Sequence, residues 1–170
     1  MDILKVGGTN HDFYILCEKL EKFQYGLMPV LKDKGYSLTD DLESVTGLVL
    51  YENNKPIGSI GLKKIDEETC EIVRVFVDED YRGNGYAKIL FEKIESLAKE
   101  LGYKKAEMVA WCKAESALKL YKELGYIFSE EMFSEWFAGL KYVELFKKLW
   151  VITKSLIYRH KAFFCKKYMV

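Results

Sequence analysis

Residues 71–90 read Glu-Ile-Val-Arg-Val-Phe-Val-Asp-Glu-Asp-Tyr-Arg-Gly-Asn-Gly-Tyr-Ala-Lys-Ile-Leu, a run of strand, glycine turn and helix that decides how the rest of the chain is read. Val73, Val75 and Val77 alternate on one face with Ile72 and Phe76 on the other, so the spacing predicts a strand that is apolar on both sides and internal to a sheet. Past the acidic turn at Asp78 to Asp80, Ala87, Leu90, Ile94, Leu97 and Leu101 recur three and four residues apart and predict a helix that lays this stripe on the sheet. Between them, Gly83 and Gly85 allow the backbone close to a ligand, and the free N–H groups of a helix N-terminus favour an anion there. Phosphate is the usual anion of such a cradle. A dinucleotide fingerprint would need a third glycine where Lys88 stands, and a P-loop would need Gly-Lys-Ser/Thr, so neither fits.

The pattern that does fit is Arg/Gln-x-x-Gly-x-Gly/Ala, met by Arg82, Gly85 and Ala87 directly after the valine-rich strand. A second motif, Ala-x-x-Leu-Tyr-x-x-x-Gly-Tyr, is met by Ala117, Leu120, Tyr121, Gly125 and Tyr126 in the same order and spacing. In these two motifs residues 1–149 resemble the GNAT superfamily of acyl-CoA-dependent N-acetyltransferases. The resemblance implies acetyl-CoA as co-substrate, an amine as acceptor, and direct transfer in a ternary complex. It implies that the Glu71 to Val77 strand, Phe76 and Val77 included, offers its backbone to the pantetheine arm, with an N–H at or near Val77 polarising the thioester carbonyl. The pyrophosphate would lie on Arg82, Gly83, Asn84, Gly85, Tyr86 and Ala87. Tyr121 is implied as the general acid, against its reading as a core tyrosine with Ala117, Leu118 and Leu124. Glu71 is the candidate base, against its reading as a surface or edge glutamate with a water relay or an already deprotonated amine in its place. One departure is plain: the second motif begins with Asn in the family, and Ala114 stands there, with Ser116 or Glu115 as substitutes. A non-catalytic GNAT-fold module that holds acyl-CoA as a sensor is therefore the alternative reading.

Taken in order, Ile3 to Val6 predicts a short strand ended by Gly7-Gly8, and Thr9 or Asn10 can cap a helix with the stripe Phe13, Leu16, Leu20 and Phe23. Gly26, Pro29 and Gly35 break the next segment around a short helix near Val30 to Lys34. By resemblance this region walls the acceptor pocket, with Phe23, Tyr25, Tyr36, Asp40 and Asp41 as candidates. Gly47 to Tyr51 and Ile57 to Ile65 form a hairpin across Glu52-Asn53-Asn54-Lys55-Pro56. Ala106 to Cys112 is a strand parallel to the central one, and Tyr126 to Phe133 with Leu140 to Lys147 close the sheet as an antiparallel pair. The expected fold is a single α/β (α+β) domain: a mixed, mostly antiparallel sheet of about seven strands with helices on both faces. The aromatic run Phe133, Trp136 and Phe137 is expected to border the acceptor site or a homodimer interface, against its reading as a packed loop.

Charges balance at 26 of each sign, but residues 150–170 carry Lys154, Arg159, Lys161, Lys166 and Lys167 without an acid, which leaves residues 1–149 acidic by five. That argues against nucleic acid as a partner. The tail itself stacks Ile152, Leu156, His160, Phe163 and Lys167 at helical spacing and predicts a basic amphipathic extension that packs on protein rather than on a membrane. Cys17, Cys70, Cys112 and Cys165 are scattered, without metal-ligand spacing, and His11 and His160 have no identifiable partner, so no metal is expected. No leader or spanning segment of ~20 apolar residues is apparent, and a cytoplasmic location is the expectation.

Overall fold

A computed structural model describes residues 1–149; the expected extension, 150–170, lies outside the described residues. The chain opens with strand β1 (Asp2–Gly7), then helix α1 (His11–Leu27), in which Asn10 Oδ1 accepts from the N–H groups of Asp12 and Phe13 and so caps the first turn. Gly26 does not end α1. The break comes at Met28, and Pro29 occupies the first position of the short helix α2 (Pro29–Asp33), where its missing N–H costs nothing.

Strands β2 (Val45–Glu52) and β3 (Lys55–Lys64) meet at a two-residue turn in which Asn53 and Asn54 both take positive φ, the twist that a tight hairpin requires. Next come β4 (Thr69–Val77), a single 3-10 turn at Glu79–Tyr81, and helix α3 (Tyr86–Glu100). Strand β5 (Lys105–Trp111), helix α4 (Glu115–Glu123), and strands β6 (Ile127–Phe128), β7 (Met132–Ser134) and β8 (Leu140–Lys148) complete the domain.

Among the described residues the sheet has eight strands in the order β1-β2-β3-β4-β5-β8-β6, with β7 also on β8, and only β4 and β5 run parallel. It is the mixed, mostly antiparallel sheet expected, with one strand more. The predicted Tyr126 to Phe133 strand is in fact two: Ser129 donates its N–H to the Glu144 carbonyl and accepts the Glu144 N–H on its hydroxyl, and Glu130 and Glu131 leave the ladder before β7 rejoins it.

Helix α1 packs one face through Phe13, Leu16, Cys17 and Leu20. The fit is close because Gly47 and Gly61 leave room for the Phe13 ring: a methyl on Gly47 would lie 2.6 Å from it. Helices α3 and α4 cover the other face. The buried side of α3 is Leu90, Phe91, Ile94, Glu95 and Ala98, so the expected stripe holds at its middle and fails at its end, where Leu101 is 50% exposed. Glu95, 8% exposed, lies in this core because Lys147 of β8 bonds both its oxygens at 2.9 and 2.8 Å and the Tyr126 hydroxyl donates to it at 3.0 Å.

Candidate active site

The site is made by an irregularity in β4. Phe76 faces Ser59 and Val73 faces Gly61 across β3, so Arg74 and Val75 together oppose Ile60. This is a β-bulge, with Arg74 at φ 57 and its carbonyl accepting from the buried Ser59 hydroxyl at 3.1 Å. The extra residue reverses the alternation beyond it. Val73 and Phe76 pack together on the α1 face, whereas Ile72, Val75 and Val77 lie on the α3 face. The expected grouping of Val73, Val75 and Val77 on one side is therefore corrected.

Beyond the bulge β4 also leaves β5. The two pair only where Thr69, Cys70 and Glu71 meet Lys105, Ala106 and Glu107. The strands then diverge, and the gap opens a cleft of about 480 Å³ bounded by α1, β4, β5 and α4. Asp78 donates its N–H to the Ile57 carbonyl at 2.8 Å, so in an antiparallel ladder the neighbouring Val77 turns its own N–H and C=O away from β3, toward this gap. The Val77 carbonyl is taken, accepting the Arg82 Nε–H at 3.0 Å, and its N–H looks into the open side.

At the mouth, Gly83 and Gly85 take φ of 82° and 79°, in the left-handed region, and Gly85 precedes α3 with no side-chain cap. None of the N–H groups from Gly83 to Lys88 finds a partner among the described residues; the ladder of α3 begins with Ile89 donating to Gly85. The Asn84 side chain instead steadies the turn by donating to the Tyr81 carbonyl at 3.1 Å, and the Tyr86 hydroxyl reaches Glu52 on the hairpin. Ala87 lines the cleft. Arg82 does more than add charge to the turn: its guanidinium lies 4.5 Å from the Phe23 ring centroid, bracing α1 against the end of β4.

Deeper in, Tyr121 and Glu71 both line the cleft. Tyr121 is almost wholly buried, its ring against Phe91 and Tyr126, and burial pushes its hydroxyl up to about 12. No group among the described residues hydrogen-bonds that hydroxyl, although the core and cleft readings of Tyr121 both hold: the ring packs and the residue borders the cavity. Burial likewise raises the Glu71 carboxyl above the usual carboxylate range, with Lys63 and Arg74 opposing and Glu107 and Asp41 reinforcing. Ala114, before α4, supplies no side-chain cap, and it and Ser116 line the cleft.

Of the expected acceptor wall, Phe23 and Tyr36 line the cleft. Tyr25 does not; its hydroxyl bonds the Tyr36 carbonyl. Asp41 pairs with Lys63 and Asp40 accepts from Ser37, both on the surface. Phe137 stands edge-on to Tyr36 and Trp111, at 5.4 and 5.6 Å between centroids, while Phe133 and Trp136 are exposed. Gln24, Arg74 and Trp111 are cleft residues that the sequence reading missed. Among the described residues no cluster of ligating side chains could hold a metal, and no helix is long and apolar enough to cross a membrane.

Residues 14–126 match the family model of the Acetyltransferase (GNAT) family. The chain belongs to the GNAT acetyltransferases. Among curated relatives, an uncharacterized N-acetyltransferase of Methanocaldococcus jannaschii is 30% identical over 95 residues, 52% of this chain and 42% of that protein, so the chain spans less than half of that relative. The Bacillus subtilis protein YyaT is 27% identical over 107 residues, 63% of this chain and 68% of that protein. Two solved structures share the GNAT fold. An aminoglycoside 6'-N-acetyltransferase complexed with coenzyme A superposes with a TM-score of 0.70 at 12% identity, covering 91% of this chain and 100% of that one. A GNAT family acetyltransferase from Elizabethkingia anophelis with acetyl-CoA bound gives 0.62 at 18% identity, covering 86% and 97%. At these identities the likeness is one of fold.

Proposed function

We propose that this GNAT acetyltransferase moves an acetyl group from acetyl-CoA to a primary amine by direct attack, with no covalent enzyme intermediate. The observation that carries the reading is the continuity of one cleft from the open N–H groups at the start of α3, past the free edge of β4, to Glu71 and Tyr121. The residues fit the co-substrate. An uncapped helix N-terminus behind two left-handed glycines suits a pyrophosphate, and an unpaired strand edge suits the amide groups of a pantetheine arm.

In this reading the N–H of Val77 donates to the thioester carbonyl oxygen and stabilises the negative charge that develops there. The amine reacts in its neutral form, having lost its ammonium proton to solvent: its nitrogen forms a bond to the carbonyl carbon, and one N–H proton passes to the Glu71 carboxylate, whose basicity burial has raised. As the carbon–sulfur bond breaks, the Tyr121 hydroxyl donates a proton to the departing thiolate. A phenol pushed up to about 12 stays protonated at neutral pH and is available to give it. Both groups then exchange protons with solvent, leaving an N-acetyl amide and free CoA thiol. Ala114, which offers no hydrogen-bonding side chain to a ligand at the head of α4, favours the second reading, a module that binds acyl-CoA without turnover.

The test is calorimetric binding of acetyl-CoA followed by thiol release with a panel of primary amines. Binding with turnover is expected, and Tyr121→Phe should lower kcat at least about 100-fold with little change in acetyl-CoA affinity. An unchanged rate in that variant would remove Tyr121 from the chemistry, and binding without turnover on any amine would leave the sensor reading in its place.

A further inference from the structure

Among the described residues the side-chain polar atoms that are fully enclosed and yet lack a hydrogen-bond partner are Arg74 Nε and Gln24 Oε1, and both residues line the active-site cleft. One is a donor that lacks an acceptor and the other an acceptor that lacks a donor. A buried polar atom left unpaired is costly, and a ligand that satisfies it recovers that cost. Arg74 also makes no ion pair within 4 Å among the described residues, although it lies close enough to Glu71, Asp41, Tyr36 and Cys17 to influence their titration. Its backbone sits at φ 57, where glycine would be unstrained, at the bulge that breaks the alternation of β4, and its charge lies within reach of Glu71 in β4 and of Cys17 in α1.

We propose that the acceptor is zwitterionic: a small molecule bearing a carboxylate within a few bonds of its reactive primary amine, with the carboxylate held by Arg74 and the amine between Glu71 and Gln24. The inference rests on the acyl-transfer reading of the same cleft. A guanidinium presents a fork of N–H donors that matches a carboxylate, and it repels the second and third ammonium groups of a polyamine or an aminoglycoside. Beyond Arg74 the wall is aromatic, with Tyr36 and Trp111 edge to face at 6.2 Å, so the third substituent of the acceptor is apolar or aromatic. Apolar amino acids satisfy all three requirements.

The experiment compares matched pairs that differ only in the carboxylate: L-phenylalanine with phenethylamine, L-tryptophan with tryptamine, and L-leucine with isoamylamine, with spermine as the polycation. Each is titrated calorimetrically with and without CoA and assayed for thiol release from acetyl-CoA. For at least one pair the amino acid is expected to show at least a tenfold advantage in Kd and in KM over its matched amine. Arg74→Gln should erase that advantage, weakening the amino acid about 10- to 100-fold while the amine, relieved of a like charge, binds no worse than in wild type. Arg74→Lys, which keeps the charge but loses the fork, should restore part of it. An amine or spermine that equals or outdoes every amino acid, an advantage that survives in Arg74→Gln, or no amino acid that binds would overturn the inference. Loss of acetyl-CoA binding would instead overturn the acyl-transfer reading, which the titrations without CoA keep separate.

Discussion

Placing one negative charge at the head of α3 separates anion binding from folding. Ala87 is the second residue of the helix, it lines the cleft, and its N–H is among those without a partner. Ala87→Asp sets a carboxylate about 6 Å from where a pyrophosphate would lie, and each unit of like charge at that distance costs about 0.7 kcal/mol in water and about 3 kcal/mol at an effective dielectric constant near 20. With about two phosphate charges facing it, a loss of about 3 kcal/mol, roughly 100-fold in acetyl-CoA Kd, is the middle of that range. For the fold the same carboxylate is nearly neutral: it gains about 0.3–1 kcal/mol from the helix dipole and gives up a similar amount in helix propensity. The assay is an acetyl-CoA titration at low and high salt beside a thermal melt, with Ala87→Asn as the uncharged control. The expected result is a large affinity loss that salt partly relieves, an unchanged Tm, and a control close to wild type. A folded Ala87→Asp protein that binds acetyl-CoA as tightly as wild type would refute the placement of the phosphates.

Three further perturbations follow from the packing and the titrations. Because the folded pKa of Glu71 is raised, the ionised base exists only above that raised value, so kcat/KM should climb with pH through it and then level; Glu71→Gln should cut kcat about 100-fold and flatten the acid limb. The sign for stability is opposite: burial of the carboxylate costs stability once pH exceeds the ordinary carboxylate pKa, so Glu71→Gln should melt no lower than wild type at pH 7, and a clear drop would mark Glu71 as structural instead. Lys147→Met strands the buried Glu95 carboxylate and should cost about 2 kcal/mol in urea unfolding, less than for a fully buried pair because Lys147 keeps a quarter of its side chain in solvent; Glu95→Gln, which keeps the Tyr126 bond, should cost less. Gly47→Ala drives a methyl into the Phe13 ring and should destabilise by about 1–3 kcal/mol, with Phe13→Leu in the same chain recovering part of the loss.

The parts of the molecule that declare themselves locally were legible in the sequence. The Asn53-Asn54 turn and the glycines before α3 encode backbone conformations that few other residues accept, the Asn10 cap supplies a side-chain acceptor that few other residues carry, and each sits where expected. What failed to show is set by partners distant in sequence. The string Val-Arg-Val-Phe-Val alternates without a flaw, and only its register on Ser59 and Gly61 shows that Arg74 is the extra residue. Glu95 reads as a solvated position of an amphipathic helix until Lys147 and Tyr126 arrive from 52 and 31 residues away. Tyr121 stands inside the second motif and Glu71 on the strand that leads into the first, and both line the cleft, whereas Arg74 and Gln24 border it with no motif to mark them. Of the acidic, aromatic stretch expected as pocket wall, Phe23 and Tyr36 line the cleft, whereas Asp41 is held at the surface by its ion pair with Lys63 and the Tyr25 hydroxyl is held by its bond to the Tyr36 carbonyl.

The bulge in β4 also has a bearing on how the domain is aligned with others. Up to Val73 odd-numbered residues of the strand belong to the α1 side, and past Arg74 the parity is inverted, so that Phe76 takes over that side from Val75 and Val77. A gapless alignment on hydrophobic pattern therefore misfaces every residue between Val75 and Val77 against a strand that lacks the insertion. Position-by-position transfer of acceptor preferences along this strand has to restart its count at Val75.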